Sequence, residues 1–197
     1  MGRPPAAKQK ILAAAREIVE SRGAGALTYD ELVNVSGITR GGITYHFPTK
    51  EDLLRGLLEA DFEKWDAAEA AHTPGDCDPE TARLLGFIRT LNAQDESHRR
   101  FLCGMLSAAT LDPSLMDPCR QDLRERLGRK KWTDRDLRLQ LVHLAAEGLM
   151  WQELFQMYTM PAPARTKLVA LMEELAREWG GERTPSAQTP RKIAKEA

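Results

Sequence analysis

Cysteine is nearly absent: Cys77, Cys103 and Cys119 are odd in number and far apart. They offer no disulfide framework, and no CxxC or Cys/His spacing near them suggests a zinc site. The expectation is reduced thiols in a cytoplasmic protein, with Cys103 buried as a small hydrophobe. Nothing beside Cys77 or Cys119 except Arg120 would lower a thiol pKa, which argues against redox sensing. Also missing is any apolar run near the ~20 residues that a membrane span needs. The opening MGRPPAAKQK lacks the hydrophobic centre of a signal peptide. No internal repeat is visible.

Catalytic signatures are missing too. There is no nucleophile elbow, no phosphate loop and no HExxH, so the chain is read as a non-enzyme with neither metal nor cofactor. His143 and Glu147 stand four apart in the most apolar segment. Two ligands on one helix are too few for a metal site, and a polar pair is the ordinary reading. They could also hydrogen-bond a polar atom of a bound ligand.

Strong net charge is lacking as well, at −1, but the balance conceals an asymmetry. Residues 1–50 carry seven cations against four carboxylates, a formal +3, whereas 61–80 set seven carboxylates against Lys64 alone. A basic head on an acidic body turns the head toward polyanions. The acidic run reads as a solvated face, and the basic loop Arg129-Lys130-Lys131 as a solvated connection.

What is present is concentrated in TYDELVNVSGITRGGITYHFPTK, residues 28–50. Thr28 and Glu31 stand in capping-box register at the start of a helix. Leu32, Val33 and Val35 give it an apolar face, and Ser36-Gly37 ends it at a residue that tolerates a left-handed backbone. Thr39 caps a second short helix, 40–46, closed by Phe47-Pro48. Two short helices joined by a Gly-containing turn form a helix-turn-helix, whose second helix enters a DNA major groove. The bland alternative is a small three-helix domain that binds protein. Against it stand Gly41 and Gly42, which permit close backbone approach, beside Arg40, Thr44, Tyr45, His46 and Lys50.

The stretches Gly37-Ile38-Thr39-Arg40-Gly41 and Tyr45-His46-Phe47-Pro48-Thr49-Lys50-Glu51 resemble the motif of the tetracycline-repressor family of bacterial transcription regulators. The resemblance spans about residues 8–58, including the amphipathic helix upstream, the Gly23 stop and Leu27-Thr28. Val33 departs from the family's usual Ala, and Thr44 from its usual aromatic, which Tyr45 offsets. Phosphate anchors are expected at Thr28, Tyr45, Lys50 and the amide opening the fourth helix. Base readers are expected at Arg40, Thr44 and His46, with Thr39 capping and Gly41 and Gly42 allowing approach.

The rest reads as all-α, about nine helices in total. A first helix between Pro5 and Gly23 covers the helix-turn-helix pair, completing a DNA-binding domain at 1–50. A helical ligand-binding and dimerisation domain follows at 51–180, and 181–197 is expected to be a disordered tail. Helices are expected at about 49–72, 79–92, 97–111, 113–128, 134–160 and 164–179. The helix from 49 belongs to both parts and is a natural lever.

The resemblance implies a homodimer on double-stranded operator DNA, with a small-molecule effector bound in the body, most simply a repressor. The segment 134–160 is apolar around most of its circumference, so one partner face is not enough. Leu154, Phe155, Tyr158, Leu168, Leu171, Met172 and Leu175 are the expected dimer interface. The expected ligand walls are Phe87, Leu91, Phe101, Met105, Met116, Trp132 and Trp151, with His143 and Glu147 as polar groups. Two alternatives remain: an architectural DNA-binding protein without a ligand, and a helical enzyme.

Overall fold

The computed structural model describes residues 5–181. The expected disordered tail lies outside the described residues but for Gly181. Among the described residues the helices are α1 (Pro5–Arg22), α2 (Tyr29–Ser36), α3 (Arg40–His46), α4 (Lys50–His72), α5 (Pro79–Asn92), α6 (Glu96–Leu111), α7 (Asp117–Gly128), α8 (Asp134–Leu154) and α9 (Ala162–Gly180). Single 3-10 turns precede α2 and α7.

Local chemistry sets most boundaries. Thr28, Thr39, Thr49, Asp78, Asp95 and Thr133 each accept a backbone N–H in the first turn of α2, α3, α4, α5, α6 and α8. Such caps contribute ~1 kcal/mol apiece. At Thr49 and Thr133 the box closes both ways, through Asp52 and Asp136. At Thr28 only half of it forms. Glu31 donates its amide to the Thr28 hydroxyl at 3.2 Å, but its carboxylate takes the Arg22 guanidinium at 2.6 Å instead of reaching back. An ion pair with the end of α1 takes the place of the carboxylate's bond to the Thr28 amide.

The core falls into two clusters. One joins Ile11, Ile18, Leu27, Leu32, Ile43 and Phe47 of the head to Leu53, Leu57, Phe101, Met105 and Leu115. The head's apolar interior therefore continues across residue 50 into α4 and α6. At Gly104 α6 crosses α1 closely: a Cβ there would lie 2.6 Å from Val19 Cγ1. The second cluster packs Leu84, Leu85 and Ile88 of α5 against Leu139, Val142 and Ala146 of α8 and Met172 and Ala176 of α9.

Three expectations are corrected. The segment opening at Pro113 is a 3-10 turn, Pro113–Met116, before α7 starts at Asp117. The long apolar helix stops at Leu154, well short of 160. There Gln156 adopts φ 50, and the Gln156 and Met157 amides donate back to Glu153 and Gln152 carbonyls. That is a Schellman cap built without glycine. Cys103 is exposed, not buried, and its Sγ faces the Leu154 carbonyl at 3.6 Å. The remaining helix ends fall within two residues of expectation.

Candidate functional site

The recognition geometry is built by α2, the turn and α3. Gly37 sits at φ 65, donating to the Val33 carbonyl at 2.9 Å. Buried Ser36 stitches the turn, donating to Leu32 O at 2.5 Å and accepting from the Ile38 amide at 3.1 Å. Tyr29, which no sequence signal singles out, donates its hydroxyl to the carbonyls of Phe47 and Pro48 at 3.0 and 2.9 Å. It thereby ties the start of α2 to the end of α3. Burial, and then the carboxylates of Asp52 and Glu51, push the Tyr29 phenol up, so it stays a donor.

The two glycines of α3 have different duties. A Cβ on Gly41 meets nothing within 4 Å, so this position opens to solvent. A Cβ on Gly42 would sit 2.9 Å from Ile38 Cγ2 and 3.3 Å from Thr39 Oγ1, the atom that accepts the Gly42 amide. Gly41 can admit a DNA backbone or base edge. Gly42 is required by the turn's own packing.

The polar edge of α3 is at the surface. Tyr45 is 82% exposed and meets the His46 ring edge-on at 5.1 Å. The Thr44 hydroxyl is committed within the helix, to the carbonyls of Arg40 and Gly41 at 3.1 and 3.2 Å. Arg40 is exposed but folded back: it donates to Asp30 Oδ1 at 2.8 Å and lies 5.4 Å from the Tyr29 ring centre. Lys50 is the first residue of α4. The Thr49 amide is taken by Asp52 at 3.1 Å. The Asp52 amide in turn donates to Thr49 Oγ1 at 3.0 Å, so both of these amides are committed within the capping box.

The head is tied to the body through half-buried polar groups around buried Asp61. Arg16 of α1 donates to Asp61 of α4 at 2.7 Å and to Glu20 at 2.6 Å. Its third nitrogen lies 3.2 Å from His98 Nδ1 on α6, and its guanidinium covers the Phe101 ring at 4.1 Å. Burial pulls the His98 pKa down, with Asp61 opposing. The neutral ring can then accept from Arg16, and three helices meet on one guanidinium.

The expected ligand walls scatter. Phe101 and Met105 are core of the head-side cluster. Leu91 lines a narrow space of about 40 Å³ beside Trp65 and Leu154. Phe87 and His143 line a cleft of about 670 Å³ between α5, α7 and α8. Their rings stack at 4.2 Å, and His143 Nε2 lies 3.3 Å from Glu147. That hydrogen bond holds the Glu147 carboxyl below its usual range. Trp132 and Trp151 are exposed and Met116 half-buried, and none of the three lines a described cleft. Burial pushes the Cys77 and Cys119 thiols up, away from thiolate reactivity.

The expected dimer residues divide. Leu154 and Met172 are buried inside the subunit, and Leu168 and Leu175 pack on the α5–α8–α9 cluster. Phe155, Tyr158 and Leu171 are exposed. They join a stripe not assigned from sequence: Leu137, Leu141, Leu144 and Trp151, all on the free face of α8. With Gly148 these positions recur at alternating spacings of four and three, the seam of two helices packed side by side. Trp151 and Phe155 stack on that face at 5.8 Å.

Comparison with known proteins matches this layout. Residues 11–57 fit the family described as bacterial regulatory proteins, tetR family, and 81–177 the tetracyclin repressor-like C-terminal domain. The HTH-type transcriptional regulator QacR of Staphylococcus aureus is 40% identical over 58 residues, 29% of this chain and 31% of the relative. The HTH-type transcriptional regulator TtgR of Pseudomonas putida is 32% identical over 88 residues, 44% of this chain and 40% of the relative. These matches thus span less than half of either relative. The multidrug binding protein EbrR, solved with imidazole, superposes with a TM-score of 0.63 at 19% identity, covering 92% of this chain and 99% of that one. A tetR family member from Streptomyces coelicolor gives 0.65 at 20% identity, covering 90% and 100%. At such identities the two structures establish the fold.

Proposed function

The chain belongs to the tetR family of bacterial regulatory proteins, and from that premise we propose that it is a homodimeric, DNA-binding transcriptional regulator. It acts as a repressor that leaves its operator when a small molecule enters the body. The observation that carries this reading is α3: a capped helix with Arg40, Gly41 and Tyr45 at the surface, braced from behind by Ile43 and Tyr29. Arg40 reads a base edge in the major groove, while Lys50, Tyr45 and Thr28 hold phosphates that set the register.

The apolar stripe on α8 supports the dimer. Leu141 is 59% exposed and Phe155 58%, a contiguous face that a lone subunit would leave in water. Pairing two copies there presents two α3 helices to half-sites one DNA turn apart, ~34–36 Å. Release requires the ligand to favour a dimer arrangement whose heads misfit that spacing, by a coupling of ~1–3 kcal/mol. The shift passes through α4, which joins Lys50 to Trp65, and through the Arg16–Asp61–His98 junction. An architectural DNA-binding protein would share the head, but the body cleft favours a ligand-responsive one.

The test is selection from random duplex DNA followed by a salt titration of the enriched sequence. A palindromic consensus is expected. Lys50→Ala should reduce the slope of log K against log salt by ~0.9, one phosphate contact. No enriched sequence, or affinity indifferent to salt, contradicts the assignment.

A further inference from the structure

The cleft between α5, α7 and α8 carries an uneven charge balance. Arg83 is answered by Glu69 at 3.4 Å, and Lys130 by Glu80 and by Asp136, the latter at 3.9 Å. Arg126, Arg129 and Lys131 also line it, and among the described residues none of the three has a carboxylate within ion-pair distance. The basic loop that reads in sequence as a solvated connection thus forms one rim of a cavity. Arg126 is the informative member. Its Nη2 lies 3.5 Å from His143 Nε2, while its Nε is sealed from solvent with no hydrogen-bond partner, the only such side-chain atom among the described residues. An orphaned donor on a charged group is costly, and native structures seldom keep one without a use.

The opposite wall is apolar, lined by Leu84, Leu139 and Phe87, whose ring stacks on His143. A cationic guest would meet Arg129 and Lys131 without ion-pair partners, and Arg126 answered only at longer range by Glu147. A planar carboxylate fits the guanidinium fork. We propose that this cleft takes an organic anion, a carboxylate borne on an apolar ring or chain, seated on Arg126 with its apolar part against Phe87 and Leu139. This deepens the effector reading given above and rests on it.

The test uses the full chain and three matched probes, naphthylacetate, naphthylacetamide and naphthylethylamine, with inorganic phosphate as a fourth. Calorimetry should show the carboxylate binding roughly tenfold or more tighter than the amide, with the amine and phosphate far weaker. Arg126→Gln should erase that preference without lowering the melting temperature, since it removes an unsatisfied buried donor; a purely structural arginine would instead cost stability. Should that variant fail to fold, the exposed pair Arg129→Gln and Lys131→Gln should weaken the carboxylate severalfold and leave the amide unchanged. The proposal is overturned if naphthylacetate does not bind, if amide, amine or phosphate binds as well, or if neither set of variants alters the preference. The same samples, titrated with the enriched duplex, separate the two readings. A carboxylate that binds with the stated preference but does not release DNA upholds the anion site and counts against the effector role. Release by amide or amine alone does the reverse.

Discussion

Arg40 of α3 is held by Asp30, its Nη1 donating to Oδ1 at 2.8 Å. Both side chains are largely exposed, so the pair is worth ~0–1 kcal/mol and is easily traded. On the proposed reading Arg40 must leave Asp30 to reach a base edge, and the carboxylate would compete with DNA for it. Asp30→Asn should therefore raise operator affinity, by up to about fivefold. Fluorescence anisotropy would measure it, and the gain should vanish in an Arg40→Ala background. A gain that persists there would mean that Asp30 acts only as a general negative charge.

The two glycines of α3 should behave differently. Gly42→Ala forces its methyl against Ile38 and should destabilise the head by ~1–3 kcal/mol. Gly41→Ala, with open space for its methyl and a better helix former in place, should hold or raise the melting temperature yet weaken DNA binding through lost approach. Equal melting temperatures for the two variants would remove the packing argument at Gly42.

Assembly is tested on the α8 face. Leu141→Glu should give a folded monomer, because Leu141 is exposed in the subunit and only the dimer would bury the new carboxylate. Operator binding should fall with it. Sedimentation equilibrium decides; a variant that stays dimeric moves the interface off this stripe.

Acid should loosen the junction between head and body. His98 is neutral in the fold, its pKa drawn below 6.5 first by burial, and Arg16 points a donor at it. Proton uptake is therefore easier in the unfolded chain. The contribution is complete above about pH 6.5 and falls as pH drops through the lower folded value. Melting temperature should fall between about pH 6.5 and 5 for the native chain, and less for His98→Gln. Identical profiles would show that His98 does not titrate on unfolding.

What the sequence made legible was local. Thr28, Thr39, Thr49 and Gly37 announce the helix ends they form, since capping depends on neighbours three residues away. What it hid depended on distant partners. Glu31 satisfies its capping register in sequence but is drawn to Arg22. The apolar pattern of the last two helices could not say which side meets α5. Leu154 and Met172 therefore lie inside, while Leu137, Leu141 and Leu144 remain outside. Gln156 closes α8 in a conformation more usual for glycine, a stop without a sequence signal. The cleft drew Arg126 from α7 and His143 from α8 to one point, which no spacing along the chain encodes.

The central claim, that α3 reads operator sequence, is tested most directly by comparing native chain and Arg40→Ala on the selected operator and on a scrambled duplex of equal length, at one salt concentration. The account predicts that the variant loses ~1–3 kcal/mol on the operator, confined to one base pair in each half-site. On scrambled DNA its binding should change far less. An equal loss on both duplexes would reduce Arg40 to a phosphate contact, and no loss on either would contradict the assignment of α3 as the reading helix.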